Sequence, residues 1–318
     1  MPTTPSVSVI LPTRNGLPFL SLAVDSILAQ SVADLELIII DNGSSDQTES
    51  WIQTVRDPRV VYVKLSEPGI GRALNYGLTF ARSQLIARMD ADDVSLPNRL
   101  ELQVRFLNEH PKAVLVGSQF QFFASGRLAK ATPLPTEDAK IRHHLSHGSP
   151  VLCHPAILFR TTAALSAGGY RTEGVGEELD FFLRMGEFGE IRNTPQILHY
   201  YRVSQESVSV ASVSALSEAH QYALSCWRMR ASGQPEPPLP EFQAYWHRRP
   251  AFAKMLTRVD EFGRIARRRS LVHRLWHRRV LSLAWLLVAG VCSPVRAKLH
   301  VSRFLDSIRE RPDKHEVS

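Results

Sequence analysis

Three carboxylates crowd into "ARMDADDVSLPNR", where Asp90, Asp92 and Asp93 follow an apolar run. Negative charge at that density is costly unless a cation is present. Divalent Mg²⁺ or Mn²⁺ takes oxygen ligands, commonly one or two carboxylates with phosphate oxygens beside them. An isolated D-x-D-D reads more readily as a solvated acidic turn that caps the following helix. Here it has company. "PTRN" (Pro12 to Asn15) and "DNGSSDQT" (Asp41 to Thr48) each end an apolar run in hydrogen-bonding side chains. Turns of this kind offer backbone N–H groups to a nucleotide, although "DNGSSD" reads equally as a turn with a Ser or Asp cap. "EPGIGRALNYG" (Glu67 to Gly77) brings close backbone approach and one cation, Arg72, just before the acidic stretch. Its "GIGRAL" is not a dinucleotide fingerprint, since it lacks the third glycine and follows the third strand rather than the first.

These groups need elements to hold them. "VSVILP", "LELIII", "VVYVKL" and "LIARM" read as short strands. Between them lie helical spacings, such as Leu20, Val24, Ile27 and Leu28, and later Leu74, Leu78 and Ala81. Strands alternating with helices over the first ~90 residues predict βαβ units and a mainly parallel α/β sheet flanked by helices. The polar turns then fall at the carboxyl ends of the strands, where open α/β sheets bind ligands. Residues 100–225 mix helix and strand without that rhythm.

Length and composition narrow the classes further. The chain has 318 residues, 44% of them apolar, 22% charged, and three cysteines. Disorder, a disulfide scaffold and a four-cysteine metal site are disfavoured, and a reducing cytosol fits. The formal net charge of +7 hides a split, because residues 1–219 carry net −4 and residues 220–318 carry net +11. A uniformly basic nucleic-acid binder is therefore not expected, and no recognised nucleic-acid module accompanies the charge. "GQPEPPLPEF" sets a boundary, because four prolines in six residues favour an extended linker. The expected partition is 1–225 (1–99 and 100–225 as halves), a linker over 226–242, and a helical basic extension over 243–318. In that extension Met255, Val259, Phe262 and Ala266 share one helical face, and Leu271, Val272, Leu275 and Trp276 form a second stripe. The 13-residue apolar run Val280 to Cys292 is too short to span a bilayer. The extension either lies on an anionic membrane surface or packs on the catalytic domain. "MPTTPSVSVILPT" lacks the features of a secretory signal. The expected location is the cytoplasm, including its membrane face.

The series "VSVILPTRNG", "IIIDNGSSDQT", "GIGRALNYGL", "ARMDADDVSLPNRLELQVRFL", "HPAILFR", "GGYR", "EELDFFLRM" and "YYRVSQESVS" resembles the family 2 glycosyltransferases of the GT-A fold, in the family's order over roughly residues 5–210. The resemblance implies a Rossmann-like catalytic domain that transfers a sugar from a nucleoside diphosphate to a hydroxyl with inversion. It also implies roles. Pro12, Thr13 and Arg14 would line the nucleoside pocket, with Asp41 at the base and Ser44 beside it. Arg72 and Asn75 would border the sugar nucleotide. Asp90 and Ala91 would meet ribose or sugar, Asp92 would ligate Mg²⁺ or Mn²⁺, and Asp93 would stand behind it. His154 and Glu177 would face the acceptor, a saccharide or lipid-linked molecule, and Arg160 closes the "HPAILFR" segment. Where the family carries Glu-Asp, this chain has Glu177 and Glu178. Glu178 therefore takes the place of the general base with one extra methylene, and Asp180 is the fallback. Tyr201 and Arg202 match the closing segment, with Arg202 near the diphosphate. A downstream His of the family is replaced by Ser204.

Two other classes fit parts of the pattern. A nucleotidyltransferase or NAD enzyme would bind a nucleotide at strand ends but has no use for "EELDFFLRM". A non-catalytic partner subunit would fit the departures at Glu178 and Ser204.

Overall fold

The computed structural model describes residues 4–124, 126–173, 176–203, 210–275 and 279–292. The expected Ser204 position and the chain beyond residue 292 lie outside them. The chain runs β1 (Val7–Thr13), α1 (Leu20–Leu28), β2 (Leu35–Asp41), α2 (Thr48–Ile52), β3 (Val60–Lys64), α3 (Ile70–Phe80), β4 (Leu85–Arg88) and β5 (Val94–Ser95). There follow α4 (Arg99–Glu109), β6 (Ala113–Ala124), β7 (Arg127–Leu128), α5 (Asp138–Ser146), a 3₁₀ turn at His154–Ala156, β8 (Leu158–Arg160) and α6 (Thr161–Ser166). The last elements are α7 (Glu177–Met185), β9 (Glu190–Arg202), α8 (Val210–Ala231), α9 (Leu239–Arg248), α10 (Ala251–Leu275) and α11 (Arg279–Cys292).

The strands form one sheet in the order β3-β2-β1-β4-β8-β6-β9-β5, with β7 on β6. β1, β2, β3 and β4 pair in parallel, with Thr13 opposite Asp41 and Ile10 opposite Arg88. β8 pairs antiparallel with β4 and β6, and β5 pairs antiparallel with β9. β9 runs in the same direction as β6, with the Glu190 N–H donating to the Lys112 carbonyl and the Val203 N–H to the Phe123 carbonyl. β1, β2 and β4 are buried throughout and largely apolar because both of their faces are covered, whereas β3 at the sheet edge is half-buried. Alternate residues serve opposite layers. Ile10, Ile38, Ile40 and Ile86 join Leu74 and Leu78 of α3, Leu145 of α5 and Phe181 of α7. Val9, Leu11, Leu37 and Ile39 join Leu20, Val24 and Ile27 of α1 and Leu100 and Leu107 of α4.

The chain divides into two compact units that are not contiguous in sequence. The first comprises residues 1–121, 131–201 and 223–235, and the second 122–130, 202–222 and 236–318. α8 continues through residue 225, and only residues 232–238 separate it from α9. Pro240 falls in the first turn of α9, where its missing N–H is harmless. The proline-rich stretch is therefore shorter than its composition suggests.

In the second unit α10 and α11 make an antiparallel pair through small residues. Ser270 and Ser282 hydroxyls lie 3.1 Å apart, and a Cβ added at Gly263 would meet Cys292 at 3.2 Å. Ala266 is buried, whereas Met255, Val259 and Phe262 of its expected face are exposed together with Phe252 and Leu256. On α11, Val280 is 82% exposed, and Leu281, Leu283 and Leu287 are also exposed. Among the described residues no helix is long and apolar enough to cross a membrane.

Candidate active site

The site is built in the first unit, at the carboxyl ends of the parallel strands. β1 delivers Pro12 and Thr13, both buried, and the chain then turns outward at exposed Arg14. Asn15 adopts φ +51°, a left-handed conformation that Asn tolerates better than most residues. Its N–H donates to Ser44 Oγ at 3.0 Å, and its side-chain oxygen accepts from the Ser45 N–H at 2.8 Å. The Gly16 N–H donates to Thr48 Oγ1 at 3.0 Å. The two turns after β1 and β2 are thus laced together. Asp41 is fully buried. It accepts the Ser44 N–H at 2.8 Å on one oxygen and the Tyr62 hydroxyl at 3.1 Å on the other. Burial, and then the Asp41 charge, push the Tyr62 phenol well above its ordinary range and keep it a donor.

α3 contributes Arg72 and Asn75. Arg72, half-exposed, pairs with Glu67 at 2.5 Å. Asn75 is committed on both sides of its amide: it donates to the Tyr170 carbonyl at 2.8 Å and accepts the Tyr170 N–H at 2.7 Å. Its side chain, expected beside the sugar nucleotide, holds the "GGYR" turn while lining an open pocket with Arg72, Tyr76 and Thr172.

β4 leads into the acidic turn. The carboxylate oxygens of Asp90, Asp92 and Asp93 lie within 4.8 Å of one another, with Asp92 exposed, Asp90 half-buried and Asp93 buried. Asp93 accepts from His199 of β9 at 2.8 Å. Burial, followed by the charge of Arg99, holds the His199 imidazole well below its usual pKa. Asp93 is thus buried behind the turn, and Asp92 is exposed at its tip. A set of hard oxygen donors that includes an exposed carboxylate fits Mg²⁺ or Mn²⁺.

A second group forms across the site. Single ligand-type atoms of His154, Glu177 and Glu178 also fall within 4.8 Å of one another. His154 Nε2 is 3.2 Å from the Tyr170 hydroxyl, and Nδ1 is 4.0 Å from Glu177. Burial, then the charge of Arg88, holds His154 well below its usual pKa, so the ring is neutral near pH 7. Burial pushes the Tyr170 phenol far up, leaving it a donor toward Nε2. Burial and the neighbouring Glu178 push the Glu177 carboxyl up to about 7. Glu177 and Glu178 open α7, whose N-terminus favours negative charge. Asp180 faces elsewhere. It is buried and bridges Arg171, at 2.8 Å, and Arg184. Arg160 is likewise structural, donating to the carbonyls of Ala113 and Leu107 at 2.9 and 2.7 Å.

The sequence reading missed Arg88. This last residue of β4 is 5% exposed and pairs with Asp90 at 2.6 Å. Burial opposes its charge, but the neighbouring carboxyls of Asp90 and Glu177 outweigh burial and keep it a cation. The available signal was an arginine on a strand covered on both faces, where a charge needs a partner. Tyr170 stands out in the sequence only as part of "GGYR". Arg202 lies in the second unit, with its guanidinium 4.2 Å from the ring centre of Phe123.

Comparison with known proteins places the family and the fold. The family described as "Glycosyl transferase family 2" matches residues 8–165. The Escherichia coli O-antigen biosynthesis glycosyltransferase WbnJ is 32% identical over 227 residues, covering 69% of this chain and 87% of that protein. Among solved structures, S. aureus TarS 1-349 aligns with a TM-score of 0.58 at 14% identity, over 93% of this chain and 91% of that one. The mannosyltransferase PcManGT from Pyrobaculum calidifontis, in complex with GDP-Man and Mn²⁺, aligns with a TM-score of 0.55 at 19% identity, over 91% and 87%. At those identities the likeness concerns the fold, and the fold is GT-A.

Proposed function

We propose, from the premise that this chain belongs to glycosyl transferase family 2, that it moves a sugar from a nucleoside-diphosphate sugar to an acceptor hydroxyl with inversion. The observation that carries this reading is the pairing of an acidic turn at the strand ends with a Glu-Glu-His group in the same unit. The turns after β1 and β2 form the nucleoside side, with Thr13, Asp41 and Ser44 shaping it. Asp92 would hold Mg²⁺ or Mn²⁺, which supplies stabilisation of the charge that develops on the leaving diphosphate. Asp90 orients the donor beside it.

Glu178 acts as the base, taking the acceptor proton as the hydroxyl attacks the anomeric carbon from the opposite face. Asp180 is the poorer candidate, because two guanidiniums occupy its oxygens. Glu177, with its pKa near 7, carries a proton for part of the time at neutral pH. That limits repulsion within the pair. Neutral His154, held by Tyr170, keeps the acceptor pocket's wall in place.

The name of the Escherichia coli relative supports a place in cell-surface polysaccharide or glycolipid assembly, with a saccharide or lipid-linked acceptor. The exposed apolar stripes of α10 and α11 and the basic charge around them support docking of the second unit on an anionic bilayer face. Failure to sediment with phosphatidylserine-containing vesicles at low salt would remove that surface.

A panel of UDP-, GDP-, dTDP- and CMP-sugars, read by Mn²⁺-dependent release of the nucleotide, tests the activity. Wild type is expected to release nucleotide from one donor class, and Asp92→Ala to lose the metal-dependent part. Release from no donor, or an unchanged Asp92→Ala variant, removes the assignment.

A further inference from the structure

Arg88 is the one strongly buried cation described above whose charge reaches both acidic groups. Its backbone is clamped on both sides: its N–H donates to the Ile157 carbonyl at 3.1 Å, and its carbonyl accepts from buried Arg99 at 2.6 Å. Ile157 directly follows the 3₁₀ turn that begins at His154. Arg88 is thus anchored to the segment that presents the acceptor-side imidazole, while one arm of its guanidinium holds donor-side Asp90 at 2.6 Å. The remaining guanidinium nitrogens, Nε and Nη1, are buried without a hydrogen-bond partner. Glu177 is the other carboxyl whose charge acts on it. A buried guanidinium normally has its donors satisfied, and unsatisfied ones concentrate where function needs them. A role confined to core packing would be met by an apolar side chain of similar length, with no charge to bury.

We propose that Arg88 is a positioning residue for the transfer reaction, a single buried guanidinium that sets donor-side Asp90 relative to the His154, Tyr170 and Glu177 group. This rests on the glycosyl-transfer reading of the same site. Arginine rather than lysine suits the place, because its planar fork can direct separate N–H groups at Asp90 and toward the opposite group. Both reactants are then registered against one rigid point on β4. Small errors in such registration are expensive, since a displacement of about 1 Å can cost roughly 10²-fold in rate.

The test compares Arg88→Met and Arg88→Lys with wild type, using the sugar nucleotide that wild type consumes, with Mn²⁺. Steady-state release of nucleoside diphosphate gives kcat and KM. Calorimetric titration with the corresponding nucleoside diphosphate gives stoichiometry and Kd, and thermal melting reports the fold. Arg88→Met is expected to lose about 10²-fold in kcat and to bind the nucleotide several-fold more weakly at unchanged stoichiometry. Arg88→Lys is expected to recover part of both losses. A merely structural residue would lower the stoichiometry and kcat together while leaving Kd and KM alone, and that result overturns the proposal. So does Arg88→Met with kcat and Kd within twofold of wild type. Wild type that consumes no sugar nucleotide overturns the transfer reading itself, and with it the registration that Arg88 would provide.

Discussion

The carboxylates of the 90–93 turn and those that open α7 share one chemistry in different surroundings. Asp92 is exposed at the tip of its turn, and Asp93 behind it is matched to His199 at 2.8 Å. Glu177 is largely enclosed, shares its space with Glu178, and is pushed up to about 7. The first group is suited to keeping negative charge and offering it to a cation. The second is suited to exchanging a proton near neutral pH, because a base works best when its pKa is close to the working pH. The difference comes from burial and neighbours, since both groups are drawn from Asp and Glu at the start of a helix or turn.

The comparison can be broken most decisively at Glu178. Glu178→Gln is expected to lower kcat by about 10²–10⁴-fold while nucleotide binding, followed by calorimetry, stays near wild type. Equal turnover would mean that the second group moves no proton. Asp180 offers the next largest effect, of a different kind. Asp180→Ala strands the guanidiniums of Arg171 and Arg184 and is expected to cost about 3–5 kcal/mol of stability, read by denaturant unfolding. Turnover per folded molecule should remain within a few-fold, and a 10²-fold loss would instead make Asp180 the base.

The pH profile sharpens the contrast. Loss of the proton held by Glu177 near pH 7 should raise activity through that range, and Glu177→Gln should shift the rising limb. A flat profile from pH 6 to 8 would contradict a Glu177 carboxyl that titrates near 7 beside the base. The smallest effect concerns stability. A carboxyl pKa raised on folding contributes stability that is complete below its ordinary value and lost as pH rises through about 7. Glu177→Gln should therefore melt a few degrees above wild type at pH 8 and show little advantage at pH 4. The reverse ordering would place Glu177 in a favourable ionic contact.

The parallel half of the sheet was legible because each strand is an apolar run closed by Gly, Asn or Asp, and the strands alternate with helical spacing. The half beyond β4 was not. β6 is long and mixes Gln119 and Gln121 with aromatics, and β9 contains Pro195, so neither shows a clean period. α8 runs through an expected boundary at residue 225 because local composition does not reveal which stretch of a long helix joins which unit. In the site, residues with conspicuous chemistry were legible as a set: Asp90, Asp92, His154, Glu177 and Glu178 do converge in two groups. Positioning residues were harder. Arg88 acquires meaning only when Tyr170 and Glu177, far along the chain, fold back beside it. The bond from Asn75 to the Tyr170 backbone was equally hidden, because an amide in a sequence does not reveal which backbone it will meet.

The reciprocal bond between Asn75 and the backbone of Tyr170 works like a base pair, with one donor and one acceptor on each partner. Aspartate could not donate, and glutamine would overshoot. Residue 169 shares the constraint, because a Cβ on Gly169 would meet the Asn75 oxygen at 2.5 Å and the glycine itself sits at φ +67°. Drift at either position is thereby tied to the other. An alanine at 169 and an intact asparagine at 75 cannot both be inherited without moving the tyrosine that steadies His154, so these two unremarkable positions should change together across descendants or remain fixed.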